Sequence, residues 1–311
     1  MRVLITGASG FVGRTLLPVL SLRSHEIVAA MRAAPIDRET PSNSVAIGDI
    51  NAATNWSAAL HGADAVVHLA ARVHVMSENA RDPLKEFRRV NTDGTLNLAR
   101  QAAAAGVKRF IFLSTIGVNG NSTSHGKIFT ETSTSLPHDP YSVSKHEAEV
   151  GLRAISKSTG MEIVIIRPTL VHGSKAPGNF GKLTRLVAKG IPLPLASIDN
   201  RRSLVGIDNL VDFIMTCLEH PAAANETFLA SDGEDLSTPD LIQRMARAMD
   251  RPARLLPVPK SVFMAAAAML GKRDMAQRLC GSLQVDISKS RELLGWNPPV
   301  SVDEGLRRAV K

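Results

Sequence analysis

A tyrosine and a lysine in this chain are spaced for proton transfer. Tyr141 and Lys145 stand at positions i and i+4, which share one face of a helix, and Tyr141 is the only tyrosine of the 311 residues. A phenol with an ordinary pKa of about 10 is a poor acid-base catalyst at neutral pH. Because an adjacent ammonium favours the phenolate, we expect Lys145 to lower the pKa of Tyr141. The phenol could then exchange a proton with a substrate hydroxyl.

A glycine-rich stretch follows the first apolar segment. Gly7, Gly10 and Gly13 are spaced G-x-x-G-x-x-G, with Phe11 and Val12 between the last two. A tight turn needs glycine, and a backbone that touches a pyrophosphate cannot carry a side chain there. The N-terminus of the next helix supplies partial positive charge. Between an apolar strand and an amphipathic helix, this pattern predicts a dinucleotide-binding turn rather than a plain glycine turn.

Hydroxyl side chains end a later apolar segment, at Leu113-Ser114-Thr115. A cap or a turn is the usual role of such residues. Catalytic side chains of parallel sheets, however, lie at the carboxyl ends of strands, where a hydroxyl can bond a reacting oxygen. The position of this segment upstream of Tyr141 favours a catalytic role for Thr115.

Short apolar strands alternate with helices over the first two-thirds of the chain. Most strands lack in-out alternation, as parallel strands buried on both faces do. The predicted strands are Val3–Thr6, Ile27–Met31, Val45–Ile47, Ala65–Leu69, Phe110–Ser114 and Ile163–Arg167, and the predicted helices are Phe11–Leu22, Asn55–Leu60, Pro83–Ala105 and Tyr141–Ser158. This alternation predicts an α/β fold with a Rossmann-like doubly wound parallel sheet.

The pattern changes after Pro168, where glycine, proline and asparagine become frequent. Shorter helices are predicted at Phe180–Ala188, Asn209–Glu219, Thr238–Ala248 and Ser261–Leu270. Ligands of doubly wound sheets bind at the carboxyl ends of the strands, so we expect a smaller lobe to cover them. We predict a dinucleotide-binding domain over residues 1–168 and mainly a substrate-binding lobe over residues 169–311, from which the chain can cross back to the sheet.

Composition and charge exclude several classes of protein. Hydrophobic residues make up 44% and charged residues 21%, as in a globular protein. Cys217 and Cys280 fit neither a disulfide scaffold nor a zinc ribbon, so we expect reduced thiols, no metal and a cytoplasmic location. A scattered net charge of +8 with only 4% aromatics argues against nucleic acid and favours a small anionic ligand. No secretory signal or membrane span is predicted, and the longest apolar run, Val262–Leu270, is expected to form a core or interface helix.

With these motifs, the chain resembles the extended short-chain dehydrogenase/reductase superfamily, and within it the NAD-dependent epimerase/dehydratase family, over nearly its whole length. Further matching stretches are Gly48-Asp49-Ile50, His68-Leu69-Ala70-Ala71, Asn91-Thr92-Asp93-Gly94, Arg167-Pro168, Gly178-Asn179-Phe180 and Asn200-Arg201-Arg202-Ser203. A finer likeness rests on Ala71–Met76 and Ile191–Leu195. It is to a UDP-glucose 4-epimerase-like subgroup that includes reductases of UDP-4-keto-6-deoxy-N-acetylhexosamines, which feed bacterial surface polysaccharides.

The resemblance implies a role for each matching residue. Thr115, Tyr141 and Lys145 would be catalytic, and Thr115, Asn179 and Arg202 would bind a UDP-sugar. The cofactor contacts it implies are Gly7, Gly10, Phe11, Val12, Gly13, Asp49, Ile50, Leu69, Ala70, Ala71, Asn91, Tyr141, Lys145 and Pro168. The family commonly forms homodimers through two long helices, which here are Pro83–Ala105 and Tyr141–Ser158.

The end of the second strand bears on the choice of cofactor. NAD enzymes usually place an acid there, whereas this chain has Arg32, which could pair with the 2′-phosphate of NADP(H). We therefore favour NADP(H), with NAD(H) possible. A reductase exchanges its cofactor at each turnover, so the prediction is reduction of a UDP-4-keto-6-deoxy-N-acetylhexosamine. The alternatives are a UDP-hexose or UDP-N-acetylhexosamine 4-epimerase with bound NAD, and a non-catalytic dinucleotide-binding regulator.

Three positions depart from the family pattern. Dehydratases of the family follow the catalytic threonine with Asp-Glu, but Thr115 is followed by Ile116 and Gly117, which cannot transfer protons. Dehydration is therefore not expected. Gly117 stands where near relatives carry lysine, and His172 stands where the family usually has tyrosine in Val-Tyr-Gly. Both changes predict an altered sugar pocket.

Overall fold

The structure, a computed structural model, describes residues 1–33, 43–73, 82–124, 126–271 and 273–310. Its strands are β1 (Arg2–Thr6), β2 (Glu26–Met31), β3 (Ser44–Ala46), β4 (Ala65–His68), β5 (Arg109–Leu113), β6 (Glu162–Pro168), β7 (Leu170–His172), β8 (Arg202–Gly206), β9 (Thr227–Ala230) and β10 (Asp235–Leu236). Seven of them form one parallel sheet in the order β3-β2-β1-β4-β5-β6-β9. The predicted doubly wound sheet is confirmed, and its strand order reverses between β1 and β4, where such folds bind ligands.

Helices cover both faces of this sheet. They are α1 (Phe11–Leu22), α2 (Ser57–Leu60), α3 (Pro83–Phe87), α4 (Thr95–Ala104), α5 (Pro140–Thr159), α6 (Gly178–Ala188), α7 (Ile207–Glu219), α8 (Thr238–Ala248), α9 (Lys260–Met269), α10 (Arg273–Cys280), α11 (Ser288–Leu294) and α12 (Val302–Val310). One apolar core lies between the sheet and α1 with α7, and another lies between the sheet and α4 with α5. Burying a large apolar side chain in either core contributes about 1.5–3 kcal/mol.

The six predicted strands are present to within two residues at either end, and the long predicted helix is interrupted. Arg88–Gly94 forms a π-helical segment between α3 and α4, and α4 ends at Ala104 rather than Ala105. Gly94 allows the segment to pack closely against the loop after β3, because a Cβ there would lie 2.5 Å from the Ile50 side chain. Such segments often occur at functional sites.

The second half of the chain contributes to two sheets. β9 crosses back to extend the main sheet, whereas β7, β8 and β10 form a separate three-stranded sheet. A third core fills the space between this small sheet and the surrounding helices α6, α8 and α12. Helices α6 to α9 lie where the sequence predicts them, whereas none of the four strands of this half was predicted.

The apolar helix α9 fits the predicted core role only in part, since Phe263 and Met264 pack against the third core but are only partly buried. Of its residues, all of which the structure describes, only Ala267 is buried, and Val262 and Met269 are exposed. In the described part of the chain, no helix combines the length and apolar character that a membrane crossing requires. Cys217 and Cys280 are buried free thiols.

Candidate active site

The glycine turn lies between β1 and α1, and two of its glycines are there for packing. Gly7 has a φ of +73°, and a Cβ on it would stand 2.8 Å from the backbone nitrogen of Ala70. A Cβ on Gly13 would stand 2.7 Å from the Cα of Ala8. The backbone N–H of Gly10 donates to the Gly7 carbonyl at 2.9 Å, which closes the turn.

Gly10, the exposed member of the three, begins α1. Among the described residues no side chain caps this helix at Gly10, and its first turn holds no acid. The first backbone N–H groups of a helix have no intrahelical acceptor and carry partial positive charge. An open glycine surface at such an end fits the pyrophosphate of a dinucleotide, with Phe11 and Val12 supplying N–H groups.

The two glycines give a paired prediction. Gly10 has extended backbone angles that alanine can adopt, and the contact a Cβ would make is the Gly7 carbonyl oxygen at 3.1 Å. We expect Gly10→Ala to keep its melting temperature but to bind NADH at least about tenfold more weakly, because the methyl group occupies the pyrophosphate surface. Gly7→Ala should instead lower the free energy of unfolding by about 1–3 kcal/mol, because alanine strains the backbone at this positive φ and its Cβ would contact Ala70. Calorimetry and NADH titration of both variants test this, and equal behaviour of the two would contradict it.

Arg32 and Asp49 form an exposed ion pair beyond β2 and β3. The Arg32 Nε lies 3.4 Å from the Asp49 Oδ1, and the two side chains are 86% and 69% exposed. Arg32 can turn toward a 2′-phosphate because nothing buries it. Asp49, however, neutralises its charge and would repel such a phosphate. The geometry therefore weakens the argument for NADP(H).

The loop after β4 is hydrogen-bonded to the end of β1 and to the π-helical segment. Ala70 N–H donates to the Thr6 Oγ1 at 3.2 Å, and Leu69 N–H donates to the Thr6 carbonyl at 3.2 Å. Asn91, buried in the π-helical segment, accepts from the Arg72 N–H at 2.8 Å and donates to the Arg72 carbonyl at 3.0 Å. The described polar contacts of Asn91 hold this loop in place. His74, Val75 and Met76 of the matching stretch lie outside the described residues.

His68, at the end of β4, links β1 to α4 through hydrogen bonds. Its ring is hydrogen-bonded to the Thr6 hydroxyl at 2.7 Å and the Thr95 hydroxyl at 2.9 Å, and it stacks on Phe112. Burial, with a smaller effect from the Lys145 charge, lowers the pKa of His68 to about 3. His68 is therefore a neutral hydrogen-bonding spacer at physiological pH.

The start of α5 places Tyr141 in the first helical turn. Asp139 accepts from the Ser142 N–H at 2.8 Å, and the Asp139 N–H donates to the Ser142 hydroxyl at 3.2 Å, a reciprocal cap. Pro140 occupies the first helical position, which suits its fixed φ. The Tyr141 ring meets Phe87 edge-on, with centroids 6.1 Å apart.

The expected lowering of the Tyr141 pKa is wrong for the protein alone. Burial of the phenol, and then the negative charge of Asp139, raises the pKa of Tyr141 above its ordinary value. Burial also lowers the pKa of Lys145 to about 7, so the ammonium is only partly populated at neutral pH. Desolvation therefore outweighs the attraction between the two groups that their spacing predicts.

Lys145 is almost fully buried beneath Tyr141. Its Nζ donates to the Leu113 carbonyl at 2.8 Å and lies 4.2 Å from the centre of the Phe112 ring. These contacts fix the amine at the carboxyl end of β5, two residues before Thr115. The i, i+4 pair and the strand end that the sequence singled out are thus brought together.

Thr115 opens a 3₁₀ turn just beyond β5, and its hydroxyl oxygen accepts from the Gly117 N–H at 3.2 Å. The hydroxyl hydrogen remains to donate to a substrate oxygen. A Cβ on Gly117 would lie 3.1 Å from the Ser142 Cβ, so this glycine allows the turn to approach α5. This contact brings Thr115 next to the first turn that carries Tyr141.

A cleft of about 650 Å³ opens beside the start of α5. Its lining residues are Asn121, Ser122, His138, Asp139, Lys260, Met264, Gln277, Arg278, Cys280 and Gly281. Lys260 on α9 and Arg278 on α10 give it two positively charged side chains, and Asp139 gives it one carboxylate. Such a cleft suits an anionic ligand larger than a monosaccharide.

Of the three residues expected to bind substrate, Thr115 lies beside Tyr141, whereas Arg202 and Asn179 lie elsewhere. The Arg202 guanidinium donates to the carbonyls of Arg278 at 2.8 Å and Gly281 at 3.0 Å, so it fastens a wall of the cleft rather than lining it. Burial, and then the charge of Arg278, lowers the pKa of Arg202. Asn179 is exposed at the start of α6.

His172 is buried away from this cleft. Its Nε2 lies 2.9 Å from the Asp232 Oδ2, and its ring centroid is 5.5 Å from that of Phe180. It lines a separate cavity of about 240 Å³ between α1, α7 and α12. These contacts give His172 a packing and hydrogen-bonding role, and the prediction that it alters the sugar pocket stays untested.

Sequence reasoning missed Arg278, Lys260 and Glu149. Glu149 follows Lys145 by four residues, so the spacing that identified Tyr141 and Lys145 could have found it. Arg278 and Lys260 carry no local signal, because only the folding of distant segments brings them to the cleft.

Comparisons with known proteins show the family of the chain. Residues 3–230 match the NAD dependent epimerase/dehydratase family. A UDP-glucose 4-epimerase of Vibrio cholerae is 47% identical over 310 residues, which cover 99% of this chain and 94% of that protein. An N-acetyl-alpha-D-glucosaminyl-diphospho-ditrans,octacis-undecaprenol 4-epimerase of Escherichia coli O157:H7 is 28% identical over 330 residues, which cover 100% of this chain and 94% of that protein.

A solved structure shares the fold. The UDP-glucose 4-epimerase of Thermotoga maritima with UDP-glucose has a TM-score of 0.78 at 23% identity, covering 100% of this chain and 97% of that one. The family match over residues 3–230 and the relative at 47% identity favour an enzyme over a non-catalytic regulator. The chain belongs to the NAD dependent epimerase/dehydratase family.

Proposed function

We propose that the chain is a UDP-hexose 4-epimerase that retains NAD. The observation that carries the proposal is the 47% identity to a UDP-glucose 4-epimerase along almost the full length of both chains. The paired Tyr141 and Lys145 beside Thr115 supply the residues that the reaction needs. This reverses the order of the two sequence-based alternatives, because reduction of a UDP-4-keto sugar was expected first.

The reaction at C4 makes distinct demands on three side chains. Bound NAD supplies a hydride acceptor and donor for C4. Tyr141 would take the proton of the C4 hydroxyl as the C4–H bond breaks and return it when the inverted centre forms, so the net reaction consumes no cofactor. Thr115 would hold the C4 oxygen through its free hydroxyl hydrogen, and Lys145 would favour the phenolate through its positive charge.

The substrate would span the cleft beside α5. Its diphosphate would lie near Lys260 and Arg278, since a planar guanidinium binds phosphate oxygens in pairs. The sugar would then extend toward Tyr141, two residues beyond Asp139 in the cleft wall. In this proposal residues 1–168 mainly bind the dinucleotide and residues 169–311 mainly bind the UDP-sugar, with β9 returned to the sheet.

The cofactor that the protein carries separates the two reactions. We expect denatured protein to release about one NAD⁺ per chain, and the native protein to interconvert the C4 epimers of a UDP-hexose or UDP-N-acetylhexosamine without added cofactor. Chromatography of the released nucleotide and of the sugar products measures both. An empty protein that reduces a UDP-4-keto-6-deoxy-N-acetylhexosamine only with added NADPH would overturn the proposal.

One feature favours the reductase as second candidate, the arginine at the end of β2. If NAD is the cofactor, Arg32→Ala should change NADH affinity less than about threefold, because the Arg32–Asp49 pair is solvent-exposed and worth little. Titration of wild type and variant with NADH and NADPH checks this. A loss of NADPH affinity of about tenfold or more in the variant would assign Arg32 to a 2′-phosphate and favour the reductase.

We also propose that two copies pair through residues 83–104 and α5, as is common in the family. Val150, which is 55% exposed on α5, supports an apolar contact on that helix. A role in surface-polysaccharide synthesis follows only from the family resemblance.

A further inference from the structure

A buried carboxylate on the catalytic helix joins the three elements that carry the active site. Glu149 is fully buried, and its two oxygens accept from Arg167 at 2.9 and 2.6 Å. One of these oxygens also accepts from the Ser114 hydroxyl at 2.6 Å. The carboxylate therefore links α5, the carboxyl end of β5 and β6 through three short, charge-assisted bonds.

The network continues from Arg167 into the turn after Thr115. The Arg167 Nη1 donates to the Asn119 Oδ1 at 2.9 Å, and the Asn119 amide donates to the Thr130 carbonyl at 3.1 Å. Arg153 reaches the Glu149 carboxylate from the more exposed side at 3.3 Å. The turn that holds Thr115 is thus tied to the same carboxylate at both of its ends, through Ser114 and Asn119.

The predicted catalytic groups lie one residue, one helical turn and about two helical turns from this network. Lys145 precedes Glu149 by four residues on the same face of α5, and Tyr141 precedes it by eight. Thr115 directly follows Ser114. We propose that Glu149 is a positioning residue, which holds α5 and the Thr115 turn in register and keeps a negative charge beside the Lys145 amine.

Among the charged groups around Lys145, the Glu149 carboxylate is the one that favours the ammonium form of the lysine. The titratable groups near it are Tyr141 and Glu149 on α5 and His68 on β4, and Arg167 on β6 lies beyond Glu149. Among the described residues, β5 meets Lys145 with the Phe112 ring and the Leu113 carbonyl. The π-helical segment meets this turn of α5 with the side chains of Asn91 and Thr92, bonded to Ser144.

The direction of the pKa effect agrees with this arrangement. Burial lowers the pKa of Lys145 to about 7, and the charge of Glu149 opposes that lowering. Without Glu149, Lys145 would lose its charge at a lower pH. Since an ammonium exists below its pKa, any step that needs the charged lysine would fail earlier as the pH rises. The inference rests on the proposed use of Lys145, but this titration can be read without turnover.

Glu149→Gln tests the charge, because it keeps the size of the side chain and removes its negative charge. Glu147→Gln is the matched control, since Glu147 lies on the same helix and pairs with Arg88 at the surface. Removing one partner of a buried pair destabilises a fold, so the double variant Glu149→Gln with Arg167→Met removes both charges and keeps the protein testable. Melting temperatures of all three establish folding.

The readout is the titration of Lys145 in protein labelled with ¹³C at the lysine Cε. Its signal is identified by its absence in Lys145→Met, and exposed lysines titrate far away, near a pKa of about 10.4. We expect Glu149→Gln to shift the Lys145 midpoint down by about one pH unit, and the double variant to shift it down by less, because it also removes the positive charge of Arg167. Glu147→Gln should leave the midpoint in place. In an active preparation of Glu149→Gln, the midpoint of the alkaline decline in kcat/KM should shift to lower pH by the same amount as the Lys145 midpoint. Its kcat should fall about tenfold at neutral pH.

The outcomes separate the inference from the proposed function. A lowered Lys145 midpoint in protein that fails to epimerise any UDP-sugar would retain the role of Glu149 and remove the epimerase. An unchanged midpoint in the folded double variant, with kcat and its pH profile restored, would show that Glu149 serves stability alone and would overturn the inference.

Discussion

Tyr141→Phe is expected to lower kcat by about a hundredfold to ten-thousandfold, the usual contribution of a positioned acid-base group. The substitution removes one oxygen and leaves the ring. Its edge-on contact with Phe87 and the capped start of α5 should survive, because neither uses the phenolic oxygen. Affinity for NADH and the melting temperature should therefore stay close to those of the wild type.

The measurement is steady-state turnover on a UDP-hexose, together with NADH titration and thermal unfolding of the same preparations. Because Tyr141 is the only tyrosine in the chain, the ultraviolet signal of tyrosinate in the wild type reports this residue alone. Since burial raises the pKa of Tyr141, that signal should appear only above the ordinary tyrosine pKa of about 10. Retained turnover in Tyr141→Phe would remove Tyr141 from the proton path.

The parts of the site that sequence could predict are those encoded by short spacings. Gly7, Gly10 and Gly13 span seven residues and stand beside a strand, so their turn follows from local geometry. Tyr141 and Lys145 share a helix face for the same reason. The first six strands were found because each contains a short run of apolar residues, which is largely buried in all of them except the partly exposed β3.

The parts that sequence could not predict depend on distant segments. β9 pairs with β6 more than fifty residues earlier in the chain, and a four-residue strand has little pattern of its own. Arg278 and Lys260 reach the cleft only because the second half of the chain folds around it. The predicted direction of the Tyr141 pKa shift was wrong for a similar reason. Burial, which raises this pKa, is a property of the whole fold, whereas the Tyr141–Lys145 spacing is local.

The sequence therefore predicts the position of the Lys145 amine better than its protonation state. Lys145 is in the predicted place, yet burial brings its pKa to about 7, and Glu149 offsets part of this cost. An active site that needs the ammonium must hold it in a site that disfavours it. This tension makes Lys145 the residue whose removal should cost most after Tyr141.

Lys145→Met is expected to lower kcat by about a hundredfold or more, comparable to the loss of one buried group that stabilises developing negative charge. Methionine fills most of the same space but leaves the Leu113 carbonyl without its amine donor. Lys157→Met on the exposed last turn of α5 is the matched control and should retain full activity. Turnover, NADH affinity and melting temperature of both variants provide the comparison.

The pH profile gives this prediction its sign. The ammonium of Lys145 is present below its pKa of about 7 and is lost as the pH rises through that value. In the wild type loaded with NAD, where the positive nicotinamide ring would favour the Tyr141 phenolate, kcat/KM should therefore decline on the alkaline side with a midpoint near the Lys145 pKa. The kcat/KM of Lys145→Met should be lower throughout and should not show this alkaline decline. A variant that kept both the wild-type rate and the alkaline limb would show that another group carries the charge, and the Tyr141 phenolate would then have to form without Lys145.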